Sequence, residues 1–116
     1  MTAAEVLIQT ALLGEAVDGG PALVFVADEE MKYLAVSRSA CEELGYTREE
    51  LLKLRVTEVA RDQTASQEYD EMLARGSRDG LTTLTRKDGS TLTLRYRATK
   101  TTVAGLHLFV SIGFAD

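Results

Sequence analysis

The chain is poor in the residues that carry most protein chemistry. It holds one cysteine, Cys41, one histidine, His107, and no asparagine. A single thiol forms no internal disulfide, which is compatible with a reducing compartment. A single imidazole without clustered Cys, Asp or Glu partners makes a poor metal site, so no metal is expected. Nucleophile elbow, phosphate loop and metal-binding helix motifs are all missing, and the chain is not expected to be an enzyme. No apolar run approaches the roughly 20 residues that span a bilayer, and no basic segment leads into an apolar one at the N-terminus. A cytoplasmic location without a membrane partner is the expectation. Basic residues are scattered and the net charge is -5, which argues against direct nucleic-acid binding.

What is present suits one domain. The 116 residues are 45% apolar and 27% charged, as in an ordinary globular protein. From Thr2 to Val17 the residues Val6, Leu7, Thr10, Leu13 and Val17 recur at three- and four-residue spacing, which predicts a helix with an apolar stripe. Asp18-Gly-Gly-Pro21 breaks the pattern. Leu23 to Ala27 and Tyr33 to Val36 read as two strands around the turn Asp28-Glu-Glu.

Short helices follow. Ser37 or Ser39 caps one that ends at Gly45, where a left-handed conformation stops it and lets Tyr46 fold back. Thr47 and Glu50 have the spacing of a capping box, so a second helix runs from Arg48 to Leu54. Thr57 opens a further turn. Gln63 to Arg75 predicts a longer helix with Tyr69, Met72 and Leu73 on one side, and Gly76 as its stop. Past Gly80 the period changes to two. Leu92, Leu94, Tyr96 and Ala98 alternate with polar residues, Lys87-Asp-Gly-Ser90 signals a hairpin, and Ala104-Gly105 turns the chain again. Leu106 to Phe114 is almost continuously apolar, as in a central strand covered on both faces.

Tyr33-Leu-Ala-Val-Ser-Arg-Ser-Ala-Cys-Glu-Glu-Leu-Gly-Tyr-Thr-Arg-Glu-Glu-Leu-Leu52 resembles the segment of a PAS domain from its second strand through its first two helices. Arg86-Lys-Asp-Gly-Ser90 is similar to the hairpin between that family's third and fourth strands. The resemblance covers about residues 20–116. It implies an α+β fold, with short helices arching over the concave face of a five-stranded antiparallel sheet. Residues 1–19 then form a separate amphipathic helix that caps the sheet or builds a dimer. Ser37 stands where the family often has Asn, and Lys53 where Gly is common. A hydroxyl offers fewer hydrogen bonds than an amide, so a looser arch over residues 37–60 is expected.

The resemblance also frames the candidate site. Flavin-binding relatives carry their cysteine in a later helix, within a motif this chain lacks, so Cys41 reads as a packing residue. Haem-binding relatives place their histidine in the long helix, whereas His107 belongs to the last strand. Flavin and haem are therefore not expected. His107, Phe109, Ser111 and Gly113 share one strand face that mixes apolar and polar groups, as pocket walls do, although a filled core would look much the same. If a pocket exists, its expected lining is His107, Phe109 and Ser111 from the sheet, with Tyr46, Tyr69 and Met72 from the helices. The expected dimer element is Val6, Leu7, Thr10, Leu13 and Val17.

Two functions stand open. One is a sensory PAS domain that binds a small molecule or protein partner and signals to an output module: a histidine kinase, a cyclic-dinucleotide enzyme or a transcription regulator. The other is a dimerisation module with a filled core and no ligand.

Overall fold

The computed structural model describes residues 1–61, 70 and 74–116. Among the described residues, nine elements follow the predicted order: α1 (Ala3–Asp18), β1 (Leu23–Ala27), β2 (Tyr33–Val36), α2 (Arg38–Leu44), α3 (Arg48–Leu51), α4 (Val56–Val59), β3 (Ser77–Thr85), β4 (Thr91–Val103) and β5 (Leu106–Ala115). The strands form one antiparallel sheet in the order β2-β1-β5-β4-β3, so β5 lies at its centre. The predicted helix over residues 63–75, with Tyr69, Met72 and Leu73, lies largely outside the described residues. Asp70, Ala74 and Arg75 are helical, and Gly76 follows at φ 81°.

Local chemistry explains the arch. Ser37 is the N-cap of α2, its Oγ accepting from Ala40 N at 3.2 Å and from Val24 N at 3.1 Å. Ser39 stands beside it, hydroxyl to hydroxyl at 2.9 Å, and donates to Ala22 O at 2.8 Å. Two serines thus supply the acceptor and the donor that one amide side chain would combine. Gly45 ends α2 at φ 77°, a conformation that costs glycine little. Lys87 N then donates to the open Leu44 carbonyl at 2.9 Å, docking the β3–β4 hairpin on the helix end.

The capping box of α3 is complete. Thr47 Oγ1 accepts from Glu50 N at 3.1 Å, and Glu50 Oε1 accepts from Thr47 N at 2.9 Å. The helix stops at Leu51, short of the predicted Leu54, because the chain leaves to pair with β2: Tyr33 N donates to Leu54 O at 3.2 Å, and Lys32 bridges Arg55. Likewise α4 begins at Val56, ahead of Thr57, where the Glu58 carboxylate accepts from Arg55 N at 2.7 Å. Strand β3 starts at Ser77, before Gly80, because Ser77 to Thr85 all find partners on the long β4.

The core lies between arch and sheet. Leu44, Leu51, Val59 and Leu94 are fully buried there, and each such side chain contributes about 1.5–3 kcal/mol by leaving water. The opposite face corrects one expectation. β5 is central but not covered on both sides, since Ile112 and Phe114 are about half exposed on the outer face.

No residue of α1 is buried. Val6, Leu7, Leu13 and Val17 of the stripe are exposed, and so are Ile8 and Leu12, which at about 100° per residue fall on the far side of the helix. The helix therefore presents two apolar faces. Its C-terminal end is tied to the arch through Asp18 Oδ1, which accepts from Arg38 N at 3.0 Å and meets Arg48 Nη2 at 2.5 Å.

Candidate functional site

The concave face of the sheet is built in cross-strand rows. One row runs Arg78, Ala98, Ser111, Phe25 across β3, β4, β5 and β1; the next runs Gly80, Tyr96, Gly113, Leu23. Ala98 and Ser111 in the first row and Gly113 in the second lower the floor between four rings: Phe25, Tyr33, Tyr96 and Phe109. Gly113 has no alternative, because a Cβ there would come within 2.7 Å of the Arg95 carbonyl and 2.8 Å of Leu94 Cγ. The β1–β2 turn and α4 supply the roof through Met31, Val56 and Ala60. Between roof and floor lies a cavity of about 120 Å³. Met31 sits in it at φ 66°, held by Asp28 Oδ1, which accepts from Glu30 N at 2.9 Å and Lys32 N at 3.0 Å.

The walls are mostly apolar, with few polar groups. Arg78 Nε donates to Tyr96 Oη at 3.1 Å at one side. Thr82 Oγ1 is buried with no hydrogen-bond partner among the described residues. Tyr33 is only 3% exposed, its ring 5.6 Å from that of Phe25 at 38°. Burial pushes the Tyr33 phenol well above its ordinary pKa, and no hydrogen bond contributes to the shift.

Of the residues expected at the site, Phe109 and Ser111 line the cavity. His107 lies on the same face of β5 but beside the turn of the β4–β5 hairpin, exposed, with Nδ1 3.2 Å from Thr102 Oγ1. Strand alternation gave its face; its height along the strand puts it beyond the arch. Tyr46 is half-buried against the core and does not line the cavity. Tyr69 and Met72 lie outside the described residues. Sequence reasoning missed Phe25, Tyr33, Thr82 and Ala98. Tyr96 and Ala98 were already on one strand face by period, but pairing across β4 and β5 alone brings them to Ser111.

Cys41 faces the core from α2, its thiol raised above its usual pKa chiefly by burial, and it is not part of the cavity wall. Among the described residues no group of three His, Cys, Asp or Glu side chains converges as a metal site would need. No helix among them is long and apolar enough to cross a membrane.

Helices arched over one face of an antiparallel sheet, with a cavity between the layers, define an α+β domain. The family model described as PAS domain matches residues 21–113, and the chain belongs to that family. A PAS domain from a two-component sensor histidine kinase superposes with a TM-score of 0.85 at 14% identity, over 96% of this chain and 99% of that one. The PAS domain of an HTR-like protein from Haloarcula marismortui gives 0.80 at 21% identity, over 97% and 96%. A domain of a sensory box sensor histidine kinase/response regulator from Geobacter sulfurreducens gives 0.77 at 21% identity, over 94% and 96%. No curated protein matches the chain in sequence.

Proposed function

We propose that this PAS domain is a cytoplasmic sensory module that takes a small molecule into the cavity between arch and sheet and passes the change to an output module through α1. The observation that carries the reading is the cavity itself, apolar-walled and edged by a few directed polar groups, as binding sites for small molecules are. Similarity to PAS domains of sensor histidine kinases favours a kinase as the output, with a cyclic-dinucleotide enzyme or transcription regulator as the other forms. No covalent flavin adduct or haem ligation enters the mechanism, because Cys41 and His107 both stand away from the cavity wall.

The signal is a population shift. A ligand that favours one packing of the arch changes the balance between two arrangements by its difference in affinity for them. Arch movement reaches α1 through Arg38 and Arg48, which both hold Asp18. The two bare apolar faces of α1 then meet a second subunit, making a homodimer whose geometry reports the cavity.

Filling the cavity tests this. Ala98→Leu places a larger side chain in the space a ligand would occupy. Sedimentation equilibrium of the folded variant should give a monomer–dimer constant several-fold different from wild type. An unchanged constant would instead identify a dimerisation module that does not listen to its core.

A further inference from the structure

The cavity's neutral polar side chains are hydroxyls, and their arrangement narrows what enters. Thr82 Oγ1 is enclosed and makes no hydrogen bond among the described residues. Tyr33, nearly fully buried, lines the same space, and Ser111 lies on the floor between Ala98 and Phe25. Leaving a buried hydroxyl such as that of Thr82 without a partner costs about 1–3 kcal/mol, so a ligand that satisfies it recovers that cost as affinity. Arg78, the cation on the wall, already engages Tyr96. Rings of Phe25, Tyr33, Tyr96 and Phe109 surround the remaining space with flat apolar surface, which suits an aromatic ring packed edge-to-face.

Size sets the other limit. At about 120 Å³ the cavity is near the roughly 150 Å³ that holds a benzene ring in an apolar core.

Resting on the sensory reading above, we infer that the ligand is a neutral single-ring aromatic carrying a hydrogen-bonding oxygen, a phenol in its simplest form, with the ring among the four aromatic side chains and the oxygen meeting the hydroxyls of Thr82 and Tyr33. Such an oxygen both donates and accepts, as a hydroxyl partner requires. A carboxylate in its place would bring a full charge into an apolar enclosure, at a far larger desolvation cost.

Phenol, toluene and benzoate serve as probes, titrated separately into the full chain and followed by amide NMR shifts of Ala98, Ser111 and Thr82. Phenol should bind about tenfold more tightly than toluene, the difference one or two good hydrogen bonds make. Thr82→Val and Tyr33→Phe should each reduce that preference several-fold while toluene binds as before. Toluene equal to phenol, or benzoate the tightest of the three, overturns the inference. Xenon under pressure separates the two levels of the reading. If xenon shifts the same amides and none of the three probes does, the ligand class is wrong and the cavity stands. If xenon shifts nothing, the cavity fails and the ligand class with it.

Discussion

Arg48 Nη2 lies 2.5 Å from Asp18 Oδ1, across 30 residues of chain, and the same guanidinium donates from Nε to the Val36 carbonyl at 3.2 Å. One side chain therefore joins the end of α1, the start of α3 and the edge strand β2. The pair is partly exposed, so its direct worth is about 0–1 kcal/mol. Its consequence is positional. Asp18→Asn should speed hydrogen exchange in residues 3–18 several-fold and leave the central strands β4 and β5 unchanged. Equal exchange in the two proteins would show that α1 is not held through this contact.

The bare faces of α1 give a second expectation. Val6→Glu with Leu13→Glu changes exposed side chains, and surface changes usually stay within about 0.5 kcal/mol of the parent. Denaturation of the monomer should thus move little while dimerisation, read by light scattering, is lost. A dimer that survives both charges would remove α1 from the interface.

Gly113 should tolerate no side chain. Gly113→Ala drives a methyl against the Arg95 carbonyl and Leu94, and overpacking of this kind costs about 1–3 kcal/mol. Urea denaturation measures it, and a loss under about 0.5 kcal/mol would mean that β4 shifts freely.

The capping box of α3 makes a fourth prediction. Thr47→Ala removes the acceptor for Glu50 N and should cost about 1 kcal/mol. Thr47→Ser, which keeps the hydroxyl, should recover most of it in the same melt.

Acid stability should depend on Glu50. Its carboxylate takes a 2.6 Å hydrogen bond from Lys87 Nζ and another from Thr47 N, and together they lower its pKa from 4.5 to about 2. A lowered carboxyl pKa means the unfolded chain binds the proton first as pH falls, so this stabilisation is whole above pH 4.5 and disappears toward pH 2. Glu50→Gln should melt below wild type at pH 7, with the gap narrowing between pH 4.5 and 2. A gap independent of pH would place the contribution of Glu50 elsewhere.

Much of the architecture was legible in residue order. Asp88-Gly89 and Ala104-Gly105 marked the β3–β4 and β4–β5 hairpins, Thr47 with Glu50 marked a helix start, and period-two runs marked the strands, because turns, caps and strand alternation are set by neighbours a few residues apart. Long-range pairing moved the boundaries. Leu54 left α3 because its carbonyl met Tyr33, and β3 extended back to Ser77 because β4 was long enough to receive it. The site itself was legible only in part. Phe109 and Ser111 showed as one mixed face of β5, but His107 on that same face falls beyond the arch, and Thr82, Tyr33 and Phe25 reach the cavity from three other strands. Local sequence determined which way each side chain points from its own strand. The tertiary structure alone decided which small residues came side by side to leave a cavity, since that depends on strand register across the sheet, and register is a property of pairs of strands.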